Sequence, residues 1–260
     1  MSTIDLRKFF FLFGLYLTGC GATWAMPCTK PLYLTFDTGH MEIAPMVADV
    51  LKRQQVQVTF FVANEATKAG DGSLGDYWAD WWRQRGREGH AFASHTWNHT
   101  YWRQDLQTTE GLVFRVQPSA GPDAGKFSVM TPAQYCTEIR RASDRIKQLT
   151  GVEPLPLFRA PGGKVSERFL QETRSCGFAH VGWSSAGFLG DELPSERYSN
   201  KALLNQALRN IRQGDILLAH LGIWSRKDPW APEVLEPLIE GLKRKGFCFS
   251  TLKDHPVYGR

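Results

Sequence analysis

The chain has 260 residues, 42% of them apolar, enough to bury one sizeable core in a single domain. A formal charge of +5 that gathers into no basic stripe, and no nucleic-acid-binding motif, argue against a nucleic-acid partner. The densest basic cluster, Lys243-Arg244-Lys245, reads as a solvated helix end, and no stretch reads as a repeat, a low-complexity tail or a long linker.

At the N-terminus, Arg7-Lys8 precede an apolar run over 9–17 and then small residues up to Ala25. That order is a secretory signal, too short for a comfortable membrane span. Residues 1–25 are therefore expected to be a signal peptide, leaving 26–260 as the domain. Leu17-Thr18-Gly19-Cys20 also resembles a bacterial lipobox, so the alternative is a lipoprotein signal with a lipid anchor at Cys20. Either way the protein is expected to be exported, to the periplasm or cell envelope, and to meet a membrane only through that segment.

Residues 32–36 read as a buried strand and 43–53 as an amphipathic helix. A second strand is predicted over 57–62, rich in β-branched and aromatic residues. A glycine-bearing loop leads to a helix carrying Trp78, Trp81 and Trp82, whose spacing predicts core packing, and 90–94 is a third strand. Residues 101–131 show no clear periodicity; so long a stretch in a compact domain predicts a lid or binding loop over the active face. Helices follow over 132–150, 166–176, 200–213 and 232–245, and strands over 155–158, 179–183, 215–219 and 247–251. Seven strands alternating with helices predict a parallel sheet with helices outside. Cys28 and Cys248 flank the first and last strands, which suggests a bridge at the bottom rim. Cys136 and Cys176, at opposite helix ends, are expected to be free and buried.

Four stretches bring reactive side chains to strand ends, where a parallel β/α barrel gathers its catalytic residues. They are Thr35-Phe36-Asp37-Thr38-Gly39, His95-Thr96-Trp97-Asn98-His99, Arg159-Ala160-Pro161-Gly162-Gly163 and Leu218-Ala219-His220. The two histidines, four apart, are predicted to share one face of a helical turn, close enough to grip one metal ion. The ordered set T-F-D-x-G, H-T-x-x-H, R-x-P-x-G and L-x-H resembles the polysaccharide deacetylase family, the NodB-homology domain of carbohydrate esterase family 4.

That resemblance, running from about residue 32 to 252, implies a distorted (β/α)7 barrel of the α/β class and a metal-dependent N-deacetylase. It implies that Asp37 is the base, Arg159 holds Asp37, His220 is the acid, and the Gly162 N–H helps stabilise the oxyanion. Leu218, of L-x-H, joins Gly162 among the substrate-binding residues. His95 and His99 would be metal ligands, and zinc suits two imidazoles and an oxygen. Trp224 and Trp230, among polar residues after a strand end, are predicted to be exposed where indoles stack on sugar rings, whereas Trp183 is predicted to be core.

The chain also departs from the family pattern. Thr38 stands where the family usually has an aspartate, its third metal ligand, and His40 where it has proline. Trp183-Ser184-Ser185-Ala186 replaces Trp-Ser-x-Asp. A metal would then be held by His95, His99 and water, or by Asp37 or His40 moving in, or the site is dead. A non-acidic residue at the first place and alanine at the last both recur among deacetylases of peptidoglycan muramic acid, which points to peptidoglycan among N-acetylated polysaccharides. The alternatives are a deformylase or other amide hydrolase on the same barrel, and a sugar-binding pseudoenzyme.

Overall fold

The computed structural model describes residues 28–259, so the expected signal over 1–25 and Cys20 lie outside the described residues. In chain order the elements are β1 (Pro31–Asp37), α1 (Ala44–Arg53), β2 (Thr59–Val62), α2 (Ala79–Arg87) and β3 (Ala91–Ser94). Next come β4 (Thr100–Thr108), β5 (Gly111–Pro118), β6 (Ser128–Met130), α3 (Pro132–Thr150), β7 (Leu157–Phe158) and α4 (Glu167–Ser175). The remainder are β8 (Ala179–His180), α5 (Asn200–Asn210), β9 (Ile216–His220), α6 (Trp230–Arg244) and β10 (Cys248–Phe249).

Seven strands pair in parallel: β8, β7, β3, β2, β1 and β9 in lateral order, with β10 against the first residues of β1. Helices cover this sheet, so its strands are buried on both faces and read as apolar runs; six of the seven β1 residues are buried. Between β8 and β9 the circuit is spanned by residues 184–189. Ser184 N–H donates to Ile216 O, Leu218 N–H to Gly187 O and Leu189 N–H to Leu218 O. The result is the distorted α/β barrel expected.

The helices form where their sequences supply an apolar face and a cap. In α1, Val47, Val50 and Leu51 turn inward, and Lys52 and Arg53 complement the negative helix end. Helix α3 starts at a capping box, with the Thr131 hydroxyl accepting from Gln134 N–H, and ends at Gly151 in a left-handed conformation (φ 71°). Phe36, Phe60, Phe92 and Trp82 are fully buried in the main core, and Trp82 Nε1–H donates to Ser73 O at 2.6 Å. Truncating such a side chain typically costs about 3–5 kcal/mol.

Several expectations are corrected. Residues 101–131 are not structureless, because β4, β5 and β6 form a separate antiparallel sheet. Its buried face, with Phe114 and Val116, packs with Tyr135 of α3 and Phe169 of α4. Its other face carries Arg103, Arg115 and glutamines, which hides the alternation. Cys136 and Cys176 are not free; they form a disulfide, as do Cys28 and Cys248. Tyr135 and Cys136 of α3 meet Phe169, Glu172 and Cys176, so the short α4 lies across the first turns of α3 and its far end reaches Cys136. Trp230 is 3% exposed, because it opens α6 and joins the main core.

Candidate active site

The parallel register assembles the site. Asp37 ends β1 and His220 ends β9, and these two residues are direct partners in the ladder. Ser94, the last residue of β3, pairs with Phe158 of β7, so the chains leaving those strands deliver His95 and Arg159 to the same rim. Four residues up to 183 positions apart in sequence thus meet at the C-terminal ends of four strands.

Asp37 and Arg159 are both buried, at 2% and 0% exposure. Arg159 Nη1 donates to Asp37 Oδ1 at 2.6 Å, while Nε and Nη2 donate to Val181 O and Gly182 O at 3.2 and 3.1 Å. Its guanidinium also lies over the Phe61 ring, 4.0 Å from the centroid. Three anchored nitrogens leave Arg159 no freedom to turn, so it sets the orientation of Asp37. Burial pushes the Asp37 carboxyl up, but Arg159, His95 and His220 outweigh it and hold the carboxyl below its ordinary value. Asp37 is a carboxylate at neutral pH.

His95 and His99 do not lie on a helical turn, which corrects that expectation. They flank an irregular turn in which Thr96 (φ 65°) and His99 (φ 47°) are left-handed, an uncommon conformation for such residues that clusters at functional sites. The turn is held by the Ser94 hydroxyl, which accepts from Thr96 N–H, and by Glu138, which accepts from Asn98 N–H and the Thr100 hydroxyl. His95 Nδ1 lies 2.9 Å from Arg159 O, an obligate acceptor, so it carries the proton. Burial lowers the His95 pKa to about 4, so the ring is neutral and Nε2 presents a lone pair. That atom lies 3.1 Å from His99 Nε2 and 3.3 Å from Asp37 Oδ2. His99 Nδ1 lies 2.5 Å from the Ser119 hydroxyl, supplied by the end of the antiparallel sheet.

The expected divalent ion, zinc, is not supported. Among the described residues no group of three or more His, Cys, Asp or Glu side chains is arranged to hold a metal ion. The donor set explains this. The Thr38 hydroxyl, at the third-ligand position, donates to Glu65 Oε2 at 2.6 Å and accepts from Ala63 N–H at 3.0 Å. Asp37 is engaged by Arg159. Two imidazoles remain, short of the three protein ligands of a catalytic zinc site.

His220 is backed by Asp191, a residue that no motif marks in the sequence. Asp191 lies 29 positions before His220 in a loop without regular structure, and only the tertiary fold joins them; the Asp191-Glu192 pair, a few residues beyond the Trp-Ser-Ser-Ala stretch, was the available signal. Asp191, 4% exposed, accepts from His220 N–H at 2.6 Å and lies 3.1 Å from His220 Nδ1. Burial disfavours the charged ring, but Asp191, with Asp37 and Glu192, overrides it and raises the His220 pKa to about 9. His220 is thus an imidazolium at neutral pH.

Asp37, His95, His99 and His220 line a cleft of about 310 Å³ with Thr38, Glu65, Tyr101, Gly162, Trp183, Glu192, Leu218 and Trp224. Gly162 is left-handed (φ 68°), and a Cβ there would lie 2.8 Å from the Tyr101 ring, so the backbone passes the cleft bare. Leu218 is buried beneath the cleft; Trp224 stands at its mouth, 63% exposed and edge-on to His40. Trp183 is half-buried and faces the cleft, because the irregular segment after β8 turns the ring away from the core, which corrects that expectation. All eight sequence-predicted site residues border one cavity except Arg159, which lies directly behind Asp37.

The chain is 26% identical over 226 residues to the peptidoglycan-N-acetylmuramic acid deacetylase PdaA of Bacillus subtilis, spanning 86% of this chain and 71% of that protein. It is 26% identical over 234 residues to a peptidoglycan-N-acetylglucosamine deacetylase of Bacillus cereus, spanning 89% and 91%. Its fold is shared with a family 4 acetyl xylan esterase from Clostridium thermocellum, with a TM-score of 0.63 at 23% identity over 86% of this chain and 89% of the other. The polysaccharide deacetylase profile matches residues 26–181, from before the strand that carries Asp37 to just beyond β8. With its strand-end motifs in register on one rim, the chain belongs to the polysaccharide deacetylase family.

Proposed function

We propose that this protein is an exported carbohydrate N-deacetylase that hydrolyses the acetamide of N-acetylated amino sugars in peptidoglycan. One observation carries the reading: a carboxylate held ionised and an imidazole held protonated end adjacent paired strands and face one cleft. Opposed protonation in neighbouring groups is the arrangement that divides base from acid work.

In this reading a water donates a hydrogen to Asp37 Oδ2, beside His95 and His99. Asp37 takes that proton as the water oxygen bonds to the acetamide carbon. The carbonyl oxygen becomes an oxyanion, stabilised by the Gly162 N–H. The carbon–nitrogen bond then breaks as His220 Nε2 delivers its proton to the departing nitrogen, releasing a free amine and acetic acid, which ionises to acetate in water; the proton held by Asp37 returns to His220 through solvent. Arg159 orients the base, and Asp191 orients and charges the acid. Leu218 and Trp224 border the sugar.

Two relatives named as peptidoglycan deacetylases support the substrate class. Two disulfides suit an oxidising compartment, which supports export. One observation favours a second reading, a glycan-binding protein without turnover: the family carboxylate is replaced by Thr38, whose hydroxyl is committed to Glu65. The deciding experiment is acetate and formate release from peptidoglycan and from chitin oligomers, with Asp37→Asn and His220→Ala as controls. Acetate release from peptidoglycan, lost in both variants, is expected. Formate in place of acetate would make the enzyme a deformylase, and glycan binding without either product would leave a binding protein.

A further inference from the structure

Among the described residues nothing packs on the outer face of the antiparallel sheet, which starts at the cleft with Tyr101. Tyr101 packs edge-on against His99, 5.0 Å between ring centroids, and its cross-strand partner is Gln117. A bulge lies between Trp102 and Gln104, where two steps on β4 match one on β5. Arg103, two residues beyond Tyr101, lies on the same side of the strand, and the bulge brings Gln104 there too; the Arg103 guanidinium is 4.4 Å from the Tyr101 centroid and Nη2 donates to Gln117 Oε1 at 2.8 Å. One step further, Arg115 pairs with Gln104 and Val129, and its guanidinium lies 4.2 Å from the centroid of Phe127, a ring 56% exposed. Gln117 Nε2 donates to Gly125 O at 2.8 Å, tying the loop before β6 to this row. Lys126 pairs with its own neighbour Asp123 at 3.2 Å.

We infer that this face is an extended subsite for the carboxylate-bearing part of an acidic glycan, whose sugar backbone lies in the cleft. The inference deepens the deacetylase reading and rests on it for what occupies the cleft. Three features carry it. The row runs without a break from His99 through Tyr101 and Arg103 to Arg115. Each guanidinium is pre-oriented by stacking on a ring, so little freedom is lost on binding. Among the described residues Arg103 spends one donor on Gln117 and Arg115 spends none on a carboxylate, leaving planar N–H edges of the geometry that pairs with carboxylates. A neutral polymer such as chitin offers these groups nothing, whereas a glycan substituted with lactyl-linked peptides carries carboxylates along its length.

The test uses the mature protein with both disulfides intact. Sedimentation with insoluble peptidoglycan and with chitin is measured for the wild type, Arg103→Ala/Arg115→Ala and Arg103→Lys/Arg115→Lys, with KM and kcat for acetate release measured in parallel. The expected result is about tenfold weaker binding of the alanine variant to peptidoglycan, a matching rise in KM, and less than about twofold change on chitin. The lysine variant should fall between, since charge is kept and the planar stack is lost. Equal losses on both polymers, or none on either, would overturn the inference. An arginine-dependent preference for peptidoglycan in a protein that releases no acetate would uphold the subsite and refute the deacetylase reading. Loss of binding to anionic lipid vesicles in place of peptidoglycan would assign the face to a membrane and overturn the inference.

Discussion

Replacing Asp191 with asparagine tests the acid assignment at one atom. The amide of Asp191→Asn, with its oxygen at the Oδ2 position, can accept the His220 N–H and still lie within reach of Nδ1–H, which is 3.2 Å from that atom, so the imidazole keeps an acceptor while the charge is removed. His220 titrates at about 9, against 6.5 for an ordinary histidine, and Asp191 is the largest influence raising it. At about 1.4 kcal/mol per pH unit, that difference is about 3.5 kcal/mol in favour of the protonated ring. Without Asp191, burial pulls the ring toward or below its ordinary value. At pH 8 the protonated fraction should fall from about 0.9 to about 0.03, a roughly thirtyfold loss of rate for a reaction that needs the imidazolium. Near pH 5.5 the variant should recover most of its rate. The assay is kcat/KM for acetate release against pH, with an NMR titration of the His220 ring. A falling limb that stays near pH 9, or a loss equal at every pH, would refute the role assigned to Asp191.

Three further outcomes are expected. Burial depresses His90 and His180 to about 4; an unfolded chain therefore binds these protons first, so their contribution to stability is complete above pH 6.5 and lost as pH falls through about 4. The urea midpoint should drop between pH 7 and pH 4.5, and a flat profile would show that these rings do not titrate as described. The Cys136–Cys176 bridge closes a 40-residue separation, worth about 4 kcal/mol in the chain-entropy account, so Cys136→Ser/Cys176→Ser should lower the urea midpoint markedly; an unchanged midpoint would count against it. Trp224→Ala should leave thermal stability intact, since the ring is 63% exposed, while raising KM several-fold; an unchanged KM would remove Trp224 from the sugar site.

Much of the fold was legible because its signals are local. Apolar runs such as Tyr33-Leu34-Thr35-Phe36, closed by Asp37, announce buried parallel strands; their alternation with helices predicts a parallel sheet, and the resemblance to the polysaccharide deacetylases implies the barrel. The antiparallel sheet was not read, although Phe114-Arg115-Val116-Gln117 alternates and Glu110-Gly111 marks the hairpin. Its outer face mixes arginines and glutamines with Leu106, Val113 and Val129, and a bulge at Trp102–Gln104 breaks the period of two. Trp230 was misread for a related reason. Polar neighbours describe the loop before it, whereas burial was decided by the first turn of α6 docking on the core.

The site divides along the same line. Asp37, His95, His99, Arg159 and His220 stand in short motifs, because a strand end fixes which residue type reaches the rim. What those residues do to one another was decided only in three dimensions. The resemblance implied that Arg159 holds Asp37, but the capture of the Thr38 hydroxyl by Glu65 and the charge placed on His220 by Asp191 join segments that share no local pattern. Sequence by itself determined which groups were brought to the site; packing determined their protonation, because electrostatic coupling depends on distance and burial and not on separation along the chain.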